Sequence, residues 1–492
     1  MLQGMTAVSV FGAYVAGRFR KAGPAREIRS PFDGRVVAVV HDAGLADFDT
    51  ALAAAERAFP RTRALSSQTR ATICSEIAAG LSARRAKLAM AICDEAGKPI
   101  ADAQAEVDRA IFCFELAAAE ASRSAVEGEL LPMDLRPVGQ GRMGLLRRVP
   151  IGPIAAISPF NFPLNLAVHK VAPALACGCP VVLKPASQAP TPALRLAEII
   201  HGTAWPKEAL SVLPAGRAAA DRLVIDDRPQ LLTFTGSAAV GWDMKARAGR
   251  KRVVLELGGN AAVLIDDTVS EADLDAIVAK LIYGAFSYAG QKCISVQRVY
   301  VVAGRDSRLA DAFQARFVAA AQAVRCGDPR DKEVLVGPMI DAGNVARVER
   351  WVDEAVQRGA VVLCRGTRQG SVVPPIVLSQ VPPDASVCSE EVFGPVCLIE
   401  RVPSFDAGLS AINASRFGLQ AALFTRDLGH SLRAFDELAV GAVILNDAPS
   451  FRLDHMPYGG VKESGLGREG IRHAIADMTE PRLLVTNSLP AL

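Results

Sequence analysis

The sequence lacks the features that mark several classes of protein. Its 492 residues include 55 lysines and arginines against 52 aspartates and glutamates, with no basic block of the kind that binds nucleic acid. The apolar runs are as short as strands and are broken by glycine, proline or charge, so we expect no membrane-spanning helix. The first residues show no charged segment followed by a long apolar core, so no secretory signal is expected. These absences favour a globular cytoplasmic enzyme with two or three domains.

The cysteines also lack a pattern. Ten are scattered along the chain without the spacing of a disulfide framework. Cys177 and Cys179 form CxC rather than CxxC, and no pair of histidines lies near them to complete a zinc site. We therefore expect reduced thiols and no metal cofactor.

The order of apolar segments predicts an α/β protein. Residues 48–125 have the spacing of successive helices, clearest at 48–59 and 68–84. From about residue 145, strands and helices alternate, which is typical of βαβ units and a parallel sheet that binds a nucleotide at the carboxyl ends of its strands. The predicted strands are 153–158, 181–184, 211–213, 231–234 and 253–256, with helices at 163–177 and from about 193. A second α/β segment runs from about 261 to 440, with strands at 298–303 and 361–363 and a helix at 309–324.

Three further segments stand outside this alternation. Strands at 141–149 and 481–486 have no obvious local partner, which indicates an arm that pairs with the main sheet or with another subunit. Residues 434–475 are rich in loops, as site-forming segments often are. Residues 465–470 match GxGxxG, but they follow no strand and precede no βαβ unit, so we interpret them as a turn.

Two residues suggest the chemistry. Cys293 lies in GQKCIS and Glu256 lies upstream in LELGGN. A thiolate can attack a carbonyl, and a carboxylate can activate the water that releases the product. A cysteine in an apolar neighbourhood is more often a small core residue, so this pair does not decide the function by itself.

Two strand ends suggest ligand contacts. Gly236 and Ser237 end a strand and open a helix, where a phosphate could bind, although a serine N-cap with a glycine turn explains them equally well. Asn161, in PFNFP, could donate its amide to a developing oxyanion, and the alternative is a turn between strand and helix.

Together these segments resemble the aldehyde dehydrogenase superfamily over nearly the whole chain. SPFNFPL, VVLKPAS, FTGS, LELGGN, GQKC, EEVFGPV and PYGGVKESGLGREG occur in the order and at roughly the intervals of that family. The resemblance implies a Rossmann-type parallel-sheet cofactor domain, an α/β catalytic domain and a small β arm for oligomerisation. The implied boundaries are 1–130 and 151–260 for the cofactor domain, 261–465 for the catalytic domain, and 131–150 and 478–492 for the arm. It also implies a homodimer or homotetramer.

The resemblance assigns roles to matching residues. Cys293 would be the nucleophile, Glu256 the base that hydrolyses the thioester, and Asn161 the oxyanion donor. The expected cofactor contacts are Phe160, Lys184, Ser187, Gly236, Ser237, Glu391 and Phe393. Strongly NAD-selective members carry a glutamate where this chain has Ser187, so we expect NADP to be tolerated or preferred beside NAD.

The substrate is expected to be a short hydroxylated or anionic aldehyde. The late segment is similar to branches that oxidise lactaldehyde, phosphonoacetaldehyde, sulfolactaldehyde or, without phosphorylation, glyceraldehyde 3-phosphate. The candidate substrate residues are Arg109, Phe162, Lys292 and Arg452, three of them cations that could bind a distal anion. Each cation, taken singly, is more often a solvated surface charge.

Two other classes of function remain open at this point. A cysteine hydrolase without a redox cofactor would need a histidine beside Cys293, and none of the six histidines has a recognisable triad context. A non-catalytic scaffold would be expected to have lost at least one of Asn161, Glu256 and Cys293, and all three are present.

Overall fold

The computed structural model describes residues 8–123, 128–304 and 307–487. The parts of the predicted cofactor domain, helical segment and arm that fall at 1–7, 124–127 and 488–492 lie outside the described residues. Within the described residues, no helix combines the length and the apolar character needed to cross a lipid bilayer.

The elements confirm the predicted alternation of helices and strands. The helices are α1 (Leu45–Ala64), α2 (Ser67–Ala83), α3 (Arg85–Ala96), α4 (Ile100–Arg123), α5 (Asn165–Cys177), α6 (Thr191–His201), α7 (Arg217–Ala220), α8 (Arg222–Ile225), α9 (Ala238–Arg247), α10 (Leu274–Phe286), α11 (Arg308–Gln322), α12 (Ala342–Gln357), α13 (Ser386–Ser389), α14 (Phe405–Asn413), α15 (Leu428–Glu437) and α16 (Ile471–Asp477). The strands are β1 (Ser9–Phe11), β2 (Ala13–Val15), β3 (Arg18–Arg20), β4 (Ala25–Arg29), β5 (Val36–His41), β6 (Glu129–Pro132), β7 (Arg142–Pro150), β8 (Ile154–Ile157), β9 (Val181–Lys184), β10 (Leu210–Val212), β11 (Leu231–Thr235), β12 (Arg252–Glu256), β13 (Ala262–Ile265), β14 (Arg298–Val302), β15 (Val361–Arg365), β16 (Ile376–Ser379), β17 (Val396–Val402), β18 (Phe417–Gly418), β19 (Gln420–Phe424), β20 (Ala442–Leu445), β21 (Val461–Lys462), β22 (Gly465–Leu466) and β23 (Thr479–Asn487).

The first sheet is doubly wound. Its order is β22-β12-β11-β8-β9-β10-β2-β3, and β8 to β12 run parallel to one another. The strand order reverses between β8 and β11, and ligands of such sheets bind outside the carboxyl ends of the strands at this reversal. Helix α5 follows β8 after a loop and is buried along its whole length, including its polar residues Asn165, His169 and Lys170.

The second sheet has the order β15-β16-β17-β14-β13-β19-β20. Its strands are parallel except β15, which pairs antiparallel with β16. The loop between β12 and β13 joins the two sheets. Cys293 lies between α10 and β14 of this second unit, so the two sheets supply different parts of one site.

The predicted arm strands pair with each other. β7 and β23 form an antiparallel ladder from Thr479↔Pro150 to Asn487↔Arg142, and β6 pairs with the other edge of β7. Pairing with the main sheet, one of the two expectations, is therefore wrong. The functional division into cofactor, catalytic and oligomerisation parts stays a prediction.

The GxGxxG segment is more than a turn. Gly465 and Leu466 form β22, which extends the first sheet antiparallel to Leu255 and Glu256. Gly465 has φ of +153°, and a Cβ there would lie 2.2 Å from the carbonyl oxygen of Leu255. Glycine therefore permits the close approach that makes the edge strand.

Candidate active site

One cavity of about 1060 Å³ brings the two units together. Every site residue expected from the sequence lines it: Arg109, Phe160, Asn161, Phe162, Lys184, Ser187, Gly236, Ser237, Glu256, Lys292, Cys293, Glu391, Phe393 and Arg452. The sheets thus place residues far apart in sequence around one space, as the chemistry would require.

Asn161 lies at the reversal of strand order, in the loop between β8 and α5. Its Nδ2 donates to the carbonyl of Gln291 at 3.1 Å, which ties it to the loop that carries Cys293. An amide group has two N–H bonds, and this contact uses one. The other can serve a developing oxyanion.

A buried ion pair holds this loop in place. The Glu106 carboxylate accepts from the backbone N–H groups of Leu164 (2.9 Å) and Asn165 (3.1 Å), at the start of α5. Lys98 pairs with the same carboxylate, and both side chains are fully buried. The Lys98 ammonium also lies 3.5 Å from the centre of the Phe162 ring. The residues that follow Asn161 are therefore held by Glu106 of α4 and by Lys98.

Cys293 follows a sharp turn. Tyr288, Ala289 and Gly290 all have positive φ, of 56°, 54° and 67°. Two non-glycine residues in the left-handed region store strain, which concentrates at functional sites. Burial raises the pKa of Cys293 to about 11, while a hydrogen bond with Tyr458 lowers it. The Tyr458 hydroxyl lies 2.9 Å from Sγ.

Glu256 ends β12 and has no hydrogen-bond partner on either carboxylate oxygen. It is buried, and burial, followed by the charge of Glu469, raises its pKa well above the ordinary value of 4.5. A carboxyl group in this state has both oxygens available to a water molecule, and its raised pKa suits a general base.

The charged residues beside Glu256 are Lys170, Glu469 and Arg452. The sequence reasoning gave no role to Lys170 or Glu469, and it considered Arg452 only as a contact to the substrate. Lys170 donates to Thr235 (2.7 Å), Thr233 (3.1 Å) and Glu469 (3.2 Å). Burial alone would raise the pKa of Glu469, but Lys170, His169 and Arg452 more than offset it and lower the pKa to about 2. A lysine in the apolar helix α5 was the available signal, because a buried lysine needs a partner.

The predicted substrate cations differ in whether an acidic side chain pairs with them. Arg109 pairs with the buried Asp454 at 2.7 Å, and Arg452 pairs with Glu469 at 3.0 Å. His169 contacts the same Asp454 oxygen at 2.8 Å and lies 3.4 Å from Arg452. The two arginines therefore converge on one network. The Nε of Arg452 is buried without a hydrogen-bond partner.

Lys292 is separate from this network. Its ammonium donates to the hydroxyl of Ser287 and to the carbonyl of Tyr283 at 3.4 Å. Burial lowers its pKa to about 8. Lys292 is thus a cation whose charge is easily lost near neutral pH, unlike the two arginines.

One cluster of metal-ligand-type side chains occurs among the described residues: Cys113, His169 and Asp454, with ligand atoms within 4.8 Å of one another. Arg109 and Arg452 contact the same residues. Their positive charges oppose a metal ion, so we interpret the cluster as part of the hydrogen-bond network.

The cofactor end of the cavity has the expected groups. The carboxylate of Glu391 accepts from the backbone N–H of Gly259 at 3.0 Å, and burial raises its pKa to about 7. A Cβ on Gly258 would lie 2.4 Å from the Glu391 carboxylate, so a larger residue there would displace that side chain. Ser237 takes the N-cap position of α9, but its hydroxyl makes no capping bond. The hydroxyl and the helix N-terminus are thus both available to a phosphate.

The far end of this region is cationic. Ser187 bonds through its hydroxyl to the carbonyl of Ala215 at 3.2 Å, and Arg26 donates to the Ser187 carbonyl at 2.7 Å. Burial, followed by the charge of Arg26, lowers the pKa of Lys184. Arg217 is exposed and lines the same cavity.

The hydrolase alternative finds no support in this geometry. No histidine is among the described residues that line the cavity, and the side-chain partner of Cys293 is Tyr458. A cysteine hydrolase relies on a histidine to accept the thiol proton.

Comparison with known proteins agrees with the site. The model of the aldehyde dehydrogenase family matches residues 19–484. A 3-sulfolactaldehyde dehydrogenase from Priestia aryabhattai is 38% identical over 484 residues, 98% of this chain and 99% of that protein. A lactaldehyde dehydrogenase from Methanococcus aeolicus is 33% identical over 94% of this chain and 97% of its own length.

Solved structures give the same result. Aldehyde dehydrogenase 21 from Physcomitrella patens, in complex with the reaction product succinate, is 41% identical with a TM-score of 0.95, covering 99% of this chain and 100% of that one. A glyceraldehyde-3-phosphate dehydrogenase from Methanocaldococcus jannaschii, complexed with NADP, is 33% identical with a TM-score of 0.88, covering 95% and 100%. This chain therefore belongs to the aldehyde dehydrogenase family and is an aldehyde dehydrogenase.

Proposed function

We propose that this dehydrogenase oxidises a small aldehyde with an anionic group at its far end, and that it hydrolyses the resulting thioester to a free carboxylic acid. The observation that carries the proposal is that Arg109 and Arg452 line the same cavity as Cys293, Glu256 and Asn161. The unpartnered Nε of Arg452 is a buried donor that an anion would satisfy.

The residues divide the chemistry between them. Cys293, as the thiolate, forms a bond to the aldehyde carbon, and the amide of Asn161 donates to the oxyanion that results. Glu391 and Phe393 would hold the nicotinamide end of a bound cofactor, which would supply the hydride acceptor for that carbon. Glu256 then accepts a proton from water, which attacks the thioester, and the Cys293 sulfur leaves.

The names of two relatives support an anionic substrate, one through its substrate and one through its bound product. A sulfolactaldehyde carries a sulfonate, and an aldehyde whose oxidation gives succinate carries a carboxylate at the opposite end of four carbons. Both would present an anion to the arginines while the aldehyde reaches Cys293. A neutral hydroxylated aldehyde such as lactaldehyde is the alternative substrate class, favoured by the similarity to a lactaldehyde dehydrogenase.

NADP and NAD are both proposed as cofactors, with NADP favoured. Ser187 offers no carboxylate to repel a 2′-phosphate, and Lys184 and Arg217 line that end of the cavity with positive charge. We expect Arg217→Ala to raise the KM for NADP and to leave that for NAD within about twofold, since an exposed phosphate contact acts mainly through charge. An equal rise for both cofactors would contradict this role.

The activity itself has a direct test. A panel of sulfo-, phosphono-, carboxy- and hydroxy-aldehydes is screened with both cofactors, with NADPH or NADH absorbance as the measurement. Cys293→Ala should abolish turnover while cofactor binding persists. Undiminished oxidation by that variant would sink the proposal.

Arg109 offers the test of substrate class. Loss of one charged contact is worth about 1.5–3 kcal/mol, so Arg109→Gln should raise the KM for anionic aldehydes about tenfold or more and leave propanal nearly unchanged. Arg85→Gln is the matched control, because Arg85 pairs with Asp108 on the exposed surface. Equal effects of Arg109→Gln on anionic aldehydes and propanal would argue against an anion site.

We also propose that the protein is a homo-oligomer, a dimer or a tetramer, and that it works in the cytoplasm. The arm exposes apolar side chains on its strands, with Leu130 at 67% and Leu484 at 57%. Helix α15 exposes a second apolar row at Leu428, Leu432 and Phe435. Exposed apolar sets of this kind mark interaction surfaces. The thiol nucleophile fits a reducing compartment.

A further inference from the structure

We propose that Tyr458 is a catalytic hydrogen-bond donor that stabilises the thiolate of Cys293. The inference rests on the proposed function, in which Cys293 is the nucleophile. Tyr458 has no assigned role in the mechanism above, and its hydroxyl contacts the reacting sulfur itself at 2.9 Å.

The direction of the hydrogen bond depends on the state of the sulfur. With a neutral thiol, either partner can donate. A thiolate has no proton, so in that state only the tyrosine O–H can donate, and a bond to a charged acceptor is stronger than a neutral one. The contact therefore favours the thiolate over the thiol. The proton of the thiol leaves through the cavity, while Tyr458 retains its own.

Tyr458 is suited to donate rather than to ionise. Burial, followed by the charge of Cys293, raises its pKa well above 10. The guanidinium of Arg452 lies 3.6 Å from the centre of the ring. A cation on the ring face draws electron density from the phenol, which strengthens the O–H group as a donor.

The hydroxyl is also held in position. Tyr458 and Glu469 form an antiparallel bridge with backbone bonds of 3.0 and 2.6 Å. The ring packs with Ile294 and Leu419 against Cys293. The same bridge holds Glu469. One backbone pairing therefore positions both the hydroxyl that bonds the sulfur and the carboxylate beside Glu256.

Other charged groups near the sulfur oppose or assist this effect. Glu391 and Glu256 raise the pKa of Cys293, and Arg452 lowers it. The ammonium of Lys292 belongs to the adjacent residue and is directed at Ser287. Tyr458 is the neutral donor in this set, so its removal changes hydrogen bonding without changing charge.

The test measures ionisation rather than turnover. The rate at which iodoacetamide alkylates Cys293 in the full-length enzyme is followed from pH 6 to 10, with peptide mass spectrometry to separate Cys293 from the other cysteines. Tyr458→Phe keeps the ring, its packing and the contact with Arg452. We expect the apparent pKa to rise by about one unit, a tenfold loss of thiolate at a given pH on the rising limb. Because a more basic thiolate is the better nucleophile, the alkylation rate there should fall by less, about threefold.

A second variant moves the effect in the other direction. Fluorotyrosine introduced at position 458 has a more acidic phenol and should donate more strongly, so the alkylation rate on the rising limb should increase. A merely structural role cannot produce opposite effects from these two changes. Tyr14→Phe is the matched control. Tyr14 is buried and does not line the cavity, and its hydroxyl forms a hydrogen bond of 3.0 Å with His201 that phenylalanine would remove. This control should leave the profile unchanged.

The outcomes are distinct. A fall with phenylalanine and a rise with fluorotyrosine support the proposal. Unchanged rates in both variants, or a change of the same sign in both, would overturn it. Failure of the proposed function would instead show as aldehyde oxidation by Cys293→Ala, which leaves the alkylation result untouched.

Discussion

Single residues in this site are held in states that favour chemistry over stability. Glu256 is buried without a hydrogen-bond partner, Cys293 follows two residues with left-handed backbone, and Lys292 is a buried cation with a lowered pKa. Each arrangement costs folding free energy. This cost falls on residues that the reaction needs in a reactive state. Replacing such a residue should therefore lower the activity and raise the stability.

Glu256→Gln should show this opposition. Because the pKa of Glu256 is raised in the folded state, the folded protein binds the proton more tightly than the unfolded chain, and stability is lost as pH rises above about 4.5. The glutamine variant escapes this loss. We expect it to be inactive in thioester hydrolysis yet more stable at pH 8 by about 1–3 kcal/mol, the cost of an unsatisfied buried group.

The measurement is the melting temperature of both proteins from pH 4.5 to 8.5. The difference should be a few degrees at high pH and vanish toward pH 4.5. A difference that is constant with pH would contradict the assignment of a raised pKa.

Gly459→Ala tests the space beside the same carboxylate. A Cβ there would lie 2.9 Å from Oε1 of Glu256 and 2.7 Å from the carbonyl of Gly467. We expect it to displace Glu256 and slow hydrolysis of the thioester by about tenfold, since small misplacements of catalytic groups cost one to two orders of magnitude. Stopped-flow absorbance should then show a burst of NADPH followed by a slow steady rate.

Gly44→Ala serves as the control for Gly459→Ala, because a Cβ at Gly44 meets no atom within 4 Å. A steady rate for Gly459→Ala equal to that of this control would show that the space beside Glu256 is not critical.

At the scale of single residues, the sequence was sufficient to identify cavity residues that belong to short motifs. Cys293, Glu256 and Asn161 were predicted, and all line one cavity. Tyr458 and Glu469 stood within the quoted motif PYGGVKESGLGREG, but their contacts depend on a bridge that no local pattern announces. The pairing of Arg109 with Asp454 spans 345 residues, beyond the reach of periodicity.

At the scale of elements, α4 and α5 determine how the oxyanion donor is placed. The Lys98–Glu106 pair joins α4 to the start of α5, just after Asn161. Both helices lie in segments predicted to be helical, α4 within 48–125 and α5 at 163–177. The buried pair between them was not predicted, because periodicity identifies a face and does not say which charged residue lies inside it. Likewise the arm strands were predicted, but their pairing with each other was not.

Glu106→Ala should weaken both stability and catalysis. It leaves Lys98 as an unpaired buried charge, which costs about 3–5 kcal/mol. It also removes the acceptor for two N–H groups of α5, so the loop with Asn161 loosens and kcat falls. Thermal unfolding and steady-state kinetics measure the two effects.

Asp108→Ala, on the same helix, is the matched control for Glu106→Ala. Asp108 pairs with Arg85 at the exposed surface, where such a pair is worth about 0–1 kcal/mol. Equal destabilisation by the two variants would show that burial of the Lys98–Glu106 pair is not what matters.

At the scale of the whole molecule, two mostly parallel sheets contribute to one cavity, and the arm is a separate sheet with exposed apolar side chains. The parallel pairing of strands in the first sheet was predictable from alternation, because parallel strands require crossover helices. How the second unit meets the first was not, since the contacts are made by loops. The described part of the arm takes no part in the cavity lining, so its role should be separable from catalysis.

Leu484→Lys should shift the assembly to smaller species. Leu484 is 57% exposed on β23, and a charge there opposes burial against a second copy. Light scattering after size exclusion measures the mass, and the dissociation constant should rise by more than about tenfold, since burying an unpaired polar group costs several kcal/mol.

Ile225→Lys, at a residue 48% exposed outside the arm, should leave the mass unchanged. If Leu484→Lys and Ile225→Lys both have the mass of the unaltered protein, the arm is not the interface.

The contact between Cys293 and Tyr458 joins residues that are 165 positions apart. During synthesis at about 5–20 residues per second, the tyrosine follows the cysteine by roughly 8–33 s. Throughout that interval the nascent chain lacks the donor to the sulfur, the bridge to Glu469 and the edge strand β22. The hydrogen bond to the sulfur, and the burial that accompanies it, can therefore form only when translation is nearly complete.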